Sequence, residues 1–352
     1  MKVDGLKCHD TLLPKIKQKL GYGSVDNYKE WKETIREKFF ELTGIKGVEE
    51  NAAPNRNFEI EKEVQKDGYK QIRFTFESEI DAIVSCYILI PDGLKKGEKR
   101  PLVITLQGHS TGFHNSIAEP KTEEEAKNQP RVGFAVQSVN EGYITLAVEN
   151  RAMGERSAEN SPGRRVQVFE NMNRCYYETI TAQLLGRTMC AERMFDNKCA
   201  IDVVLEHFGD IIDENKIAMT GNSGGGTASY YAACYDERIK ISMPSCGFCP
   251  YPESILRFYH CSCNYIPNAY PWFDMQDLSC LIAPRRLSIV AGEKDPSFLI
   301  EGVQRGYETV KKVYQDEGAP NNCNFIQTDK GHWWCVDIIW PEMKRLMAEL
   351  DK

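Results

Sequence analysis

Residues 216–226, KIAMTGNSGGG, set a serine among glycines at the end of an apolar run, and no other feature limits the fold as strongly. KIAM reads as a buried strand and the TASYYAACY that follows as a helix. A chain passing from strand to helix across Gly221-Asn222-Ser223-Gly224-Gly225 must turn so tightly that the serine takes a strained backbone conformation. Neighbours two residues either side must lack side chains, hence Gly221 and Gly225. The serine oxygen then stands above the sheet edge, and the helix N-terminus behind it favours developing negative charge. The plainer reading is a glycine-rich turn capping an ordinary helix. Strand before and helix after favour a nucleophile.

The rest of the chain reads as alternating elements. Residues 10–45 carry DTLLPKIKQKL and NYKEWKETIREKFFELTG, with apolar residues at helical intervals, Asn27 as N-cap and Gly44 as stop. FEIEKEVQ, KQIRFTFES and AIVSCYILIP then alternate or run apolar in short blocks, with Asp67-Gly68 as a turn. PLVITLQGH, GYITLAVEN, RRLSIVAGEKD and NFIQTDKGH read as strands buried on both faces. Helical stretches lie between them, among them a long one from about Thr181 to Phe208. The expectation is a doubly wound, mostly parallel α/β sheet over residues 57–352, with residues 1–56 as an N-terminal helical extension.

Composition narrows the class. The 352 residues are 41% hydrophobic and 27% charged, which suits a globular domain with an ample core. A net charge of −7, with no basic block, argues against nucleic acid as a partner. No stretch reaches the roughly 18 apolar residues of a membrane-spanning helix, so no membrane partner is expected. The N-terminus shows no secretory pattern, and the 13 scattered cysteines look reduced, so cytoplasmic is the expected location. Self-association stays open.

A serine nucleophile needs a base, and the base an orienting acid. Two histidines follow Ser223. His332, in DKGHWW after the last strand, can reach the top of the nucleophile strand; His260 sits in an aromatic, cysteine-rich excursion. Asp295 closes the strand before the histidine strand and is the expected acid, with Glu293 its rival. The oxyanion hole is expected from the amide of Gly224 and, from the loop Gln107-Gly108-His109-Ser110, the amide of His109. No cofactor is required.

TLQGHSTG, GNSGGGTASYYAACYDERI, GEKDP with GHWW, and QLLGRTMCAERMFDNKCAIDVVL resemble the α/β-hydrolase enzymes of the acetyl-xylan-esterase-like and dienelactone-hydrolase-like kind, over roughly residues 80–350. The resemblance implies the α/β-hydrolase fold, the triad Ser223, Asp295 and His332, and an oxyanion hole of Gly224 and His109. Two departures stand out. The xylan-deacetylating esterases show RGQ and G-x-S-Q-G, where this chain has Arg151-Ala152-Met153 and GNSGG. The substrate is therefore not carried over. The elbow also resembles that of prolyl-oligopeptidase-type peptidases, but this length leaves no room for a propeller.

Further residues are candidates for binding. Cys246, Cys249, Cys261 and Cys263 could hold structural zinc, but C-x-C is an unusual half-site and ordinary buried thiols are preferred, so no metal is expected. The aromatic segment 247–280 follows a strand, and its aromatics are expected to line the pocket or pack as core. Tyr259, Trp272 and Trp333 are the named pocket candidates. Arg151, with Glu155 and Arg156, either orients a polar substrate or joins a salt-bridge network.

Together these readings point to a serine carboxylesterase acting on short, acetyl-type esters of a small alcohol or saccharide. A peptidase or amidase, a lactonase, and a binding protein with an idle triad are the alternatives.

Overall fold

The computed structural model describes residues 3–109, 112–129, 131–160 and 175–351. Ser110 of the expected oxyanion loop lies outside them. Helices α1 (Lys7–Leu12), α2 (Tyr28–Thr43) and α3 (Ile45–Glu49) come first. Asn27 accepts from the amides of Lys29 and Glu30, satisfying two donors that a helix start leaves open, and Gly44 ends α2 at φ 70°. The buried face of α2, Trp31, Ile35 and Phe39, belongs to the main core, and Phe39 stacks on Tyr231. α2 and α3 are thus packed into the molecule, while α1 buries no residue.

Strands β1 (Glu59–Lys66), β2 (Tyr69–Glu79) and β3 (Ala82–Pro91) form an antiparallel meander. The elements that follow are β4 (Arg100–Leu106), α4 (Glu123–Lys127), α5 (Phe134–Asn140), β5 (Ile144–Val148), α6 (Tyr176–Leu184) and α7 (Met189–Phe208). The chain closes with β6 (Ile212–Asn222), α8 (Gly224–Tyr235), β7 (Ile239–Ser245), β8 (Arg286–Gly292), α9 (Ile300–Asp316), β9 (Cys323–Thr328) and α10 (Val336–Glu349). The long helix expected over 181–208 is therefore two. Gly186, at φ 76°, breaks it, and Thr188 caps the second piece by accepting from the Ala191 amide.

Among the described residues the strands form one sheet in the order β1-β2-β3-β5-β4-β6-β7-β8-β9. From β5 to β9 all neighbours are parallel. β5 is buried along its whole length and β4 from Leu102 onward, which is why both read as unbroken apolar runs. The winding reverses at β4, which has β5 on one side and β6 on the other. Ligands of open α/β sheets bind beyond the carboxyl ends of the strands at such a reversal. Ser223 stands there. No helix among the described residues is long and apolar enough to cross a membrane.

One acid at this sheet edge is held in a tight cage. The Glu149 carboxylate accepts from the Phe113 amide at 3.2 and 3.1 Å, and a Cβ on Gly154 would lie 2.1 Å from its Oε2. Burial pushes its pKa up to about 8, against the Phe113 amide, which favours the charged form. The unfolded chain releases this proton near pH 4.3, roughly, so between there and about pH 8 the folded state holds more protons and stability falls as pH rises. Glu149→Gln keeps an acceptor and removes the titration. Thermal melts from about pH 5 to about pH 9 should show wild type losing ground to the variant as pH rises; parallel curves would refute the cage.

Candidate active site

Ser223 sits at φ 59° and ψ −125°, between the end of β6 and the start of α8. This region costs a non-glycine residue of order 1–3 kcal/mol and persists only where the surroundings hold it. Two contacts show how. The Ser223 amide donates to Ser245 O at 2.9 Å, and its carbonyl accepts from the Thr227 amide at 2.9 Å. A Cβ on Gly221 would lie 2.5 Å from Leu106 O, and one on Gly225 would lie 2.1 Å from that same oxygen. The glycines of the elbow are required by backbone touching backbone.

His332 lies between β9 and α10, with its side chain 30% exposed. Its Nδ1 is 2.7 Å from Asp295 Oδ2, and Phe298 stacks on its ring, the planes within 11°. Asp295 is buried, and its other oxygen accepts from the amides of Ser297 at 2.9 Å and Phe298 at 3.2 Å. Burial alone would raise the Asp295 pKa, but the bond to His332, its charge and the two amides hold it below the usual carboxylate range. An ionised Asp295 can only accept, so Nδ1 carries the proton and Nε2 is left as a base. Glu293, the rival acid, is exposed.

Ser223 and His332 line one cavity of about 540 Å3, together with Gln107, Gly108 and His109. A Cβ on Gly108 would lie 2.8 Å from Asn222 O and 3.1 Å from Ser223 Cβ, so the β4 loop presses on the elbow. The loop is tied from both sides: Gln107 Nε2 donates to Val132 O at 3.0 Å, and Asn150 Nδ2 donates to Gln107 O at 3.1 Å. The rest of the lining is largely polar, with Asn115, Thr122, Glu124, Glu125, Asn128 and Arg131. Sequence reasoning named none of these side chains. The charge-dense KTEEEAKNQPR was the available signal.

Several expected placements are corrected. Trp272 is away from the cavity, its ring under Lys19 and Lys38 and its carbonyl bonded to the Leu20 amide. Tyr259 is exposed and lines no part of it. Phe248, Tyr251 and Phe273 of the 247–280 segment are core. Trp333 reaches the wall only through Arg131, whose guanidinium lies 3.9 Å from its ring centre. Arg151 does not face a substrate; it pairs with Glu79 at 2.8 Å, Asp196 at 2.6 Å and Glu192 at 3.3 Å, which is the salt-bridge alternative. His260 bonds Ser297 O at 3.0 Å and packs edge-on against Phe298.

The four cysteines weighed as a zinc set are not gathered. Cys249 faces Leu299 O at 3.7 Å. Cys246 lies beside Asp295 and His332, and burial pushes its thiol up to about 12, so it stays protonated. Cys261 and Cys263 lie instead with Cys175 and His109.

A serine on a strained strand–helix turn, facing a cavity it shares with a carboxylate-held histidine, on a mostly parallel sheet, defines the α/β-hydrolase fold. The profile of the Abhydrolase family matches residues 8–337, and the chain belongs to that family. It is 23% identical over 245 residues to YtaP, a candidate hydrolase of Bacillus subtilis (strain 168), covering 68% of this chain and 75% of that one. Among solved structures, it is similar to a candidate acetyl xylan esterase of Bacteroides fragilis NCTC 9343, with TM-score 0.75, 16% identity and coverage of 98% and 96% of the two chains. The glucuronoyl esterase of Solibacter usitatus matches with TM-score 0.64 and 17% identity, over 95% of this chain and 97% of that one. The acetyl xylan esterase of Paenibacillus sp. R4 matches with TM-score 0.60 and 15% identity, over 96% and 98%.

The assignment of the acid has a direct check. Asp295→Asn should lower kcat by about 10³–10⁴ at neutral pH, because the amide favours the wrong imidazole tautomer. Glu293→Gln should stay near wild type. Comparable losses in both variants would show that Asp295 does not orient His332.

Proposed function

We propose that this protein is a serine carboxylesterase that removes short acyl groups from polar, saccharide-like alcohols. The observation that carries the reading is Ser223, strained on its elbow, in one cavity with an imidazole whose Nδ1 is held by Asp295 at 2.7 Å. His332 Nε2 takes the proton of Ser223 Oγ as the oxygen attacks the ester carbonyl. The amides of Gly224 and His109 receive the oxyanion, and the start of α8 adds a favourable dipole. The tetrahedral intermediate collapses, the alcohol leaves with the proton from His332, and Ser223 keeps the acyl group. Water, deprotonated by the same imidazole, then releases the acid and restores the serine.

The polar lining of the cavity supports the choice of alcohol. Its amides, hydroxyl, carboxylates and guanidinium suit a polyhydroxylated group and disfavour a long alkyl chain, which would leave buried polar groups without partners. The names of the similar structures, acetyl xylan and glucuronoyl esterases, agree with carbohydrate esters. None of the thirteen cysteines is in a disulfide, which fits a reducing compartment such as the cytoplasm.

Hydrolysis of p-nitrophenyl acetate, butyrate and octanoate by wild type and Ser223→Ala tests the reading. Wild-type kcat/KM should fall with chain length, and the variant should lose on the order of 10⁶ in kcat. Octanoate preferred over acetate would overturn the short-acyl assignment, and full activity in Ser223→Ala would overturn the nucleophile.

A further inference from the structure

Beside the catalytic cavity, four side chains from three distant stretches of chain turn their donor atoms on one point. His109 follows β4, Cys175 precedes α6, and Cys261 and Cys263 flank the turn at Ser262. The imidazole nitrogen and the three sulfurs all lie within 4.8 Å of one another. His109 Nε2 is 3.1 Å from Cys263 Sγ, and the sulfurs of Cys261 and Cys263 are 3.2 Å apart. All three cysteines are buried. Among the described residues, Cys246 is the other buried cysteine gathered with titratable side chains, Asp295 and His332 of the triad, whereas these three gather with one another.

We propose that His109, Cys175, Cys261 and Cys263 bind a single Zn²⁺ in a closed tetrahedral site. Three thiolates and one imidazole are a usual structural zinc set, and zinc at about 2.3 Å from sulfur and about 2.0 Å from nitrogen spaces its ligands about 3.5–3.8 Å apart. The His109–Cys263 and Cys261–Cys263 separations, 3.1 and 3.2 Å, fall about half an ångström short of that range, and all four donor atoms lie within 4.8 Å of one another. Spreading Cys261 from Cys263 and His109 from Cys263 by less than an ångström brings those two pairs to zinc spacing.

The surroundings balance the charge. Three thiolates around Zn²⁺ leave one net negative charge, and Arg193, buried at 4% exposure, supplies one positive charge. Its Nη1 donates to Cys263 Sγ at 3.2 Å and its Nη2 to Cys175 Sγ at 3.6 Å. Its Nε and Nη2 also donate to Arg151 O, at 3.1 and 2.9 Å, which fixes the guanidinium. A buried cation against three neutral thiols would be costly; against a zinc–thiolate centre it is matched. A disulfide does not account for the cluster, since the Cys261–Cys263 sulfurs stand well beyond the roughly 2.05 Å of an S–S bond and none of the three cysteines is disulfide-bonded.

The site bears on catalysis through position only. A Cβ on Gly224 would lie 2.7 Å from both Cε1 and Nδ1 of His109, so the imidazole rests directly on the residue after the nucleophile. Zinc on Nε2 would lock that ring, and with it the Gly108-His109 backbone that presses on the elbow. This consequence rests on the esterase reading; the metal site does not.

Metal analysis of the full-length chain, purified under reducing conditions without added metal, should find about one zinc per chain, and Cys261→Ser/Cys263→Ser should carry none. Because that variant could fail to fold, the wild-type chain is also exchanged with Co²⁺. Thiolate-to-cobalt charge-transfer bands with tetrahedral d–d absorption would support the site. Removing the zinc by chelation should lower kcat towards p-nitrophenyl acetate by up to about a hundredfold with KM little changed, the signature of a displaced oxyanion donor. Zinc bound without esterase activity supports the site and sinks only the esterase reading. A folded chain purified without zinc, a cobalt spectrum lacking charge transfer, a disulfide among the three cysteines, or zinc retained by the double variant would each overturn it, and full activity after chelation would overturn its link to catalysis.

Discussion

The catalytic geometry depends on backbone packed against backbone where β4 meets β6. Leu106 O occupies the space that side chains on Gly221 and Gly225 would need, and Asn222 O the space that one on Gly108 would need. Parallel pairing of Leu106 with Gly221 sets that contact. With the two strand ends locked, Ser223 has a single conformation available, and its φ of 59° is imposed by neighbours rather than chosen. The histidine and its acid arrive from the other flank of β6, on the loops after β9 and β8. The site is thus assembled by strand order, and sequence distance between its members has little meaning.

What could be read in advance was local. The elbow declared itself because a serine between glycines after an apolar run has one efficient structural use. The Asn27 and Gly44 caps, the Asp67-Gly68 turn and the buried strands are short-range signals that the structure shows in place. Asp295 and His332 were legible because the order of strands in this fold assigns their loops. The break at Gly186 was missed because the apolar pattern on both sides of it continues with helical spacing.

What could not be read was contact between distant segments. Trp272 and its neighbours have the composition of a ligand pocket, yet they meet α2 and α8, because the N-terminal helices need a surface to bury Trp31, Ile35 and Phe39 against. The pocket wall comes instead from a charged stretch that looks like an ordinary solvated loop until it folds across the serine. The cysteine cluster shows the same limit. Cys261-Ser262-Cys263 is visible as a half-site, but nothing in the linear chain pairs it with His109 and Cys175, and the C-x-x-C at Cys246 drew attention to the wrong partner. Arg151 was ambiguous for a related reason: its three carboxylate partners sit on β2 and α7.

The central claim is that Ser223 is an activated nucleophile. Treating the purified protein with a fluorophosphonate and mapping the adduct by peptide mass spectrometry tests it without any assumption about substrate. The account predicts one phosphonyl group per chain, on the peptide carrying Ser223, slowed strongly by Asp295→Asn and absent in Ser223→Ala. An unlabelled wild-type protein, or an adduct on another residue that survives Ser223→Ala, would contradict it.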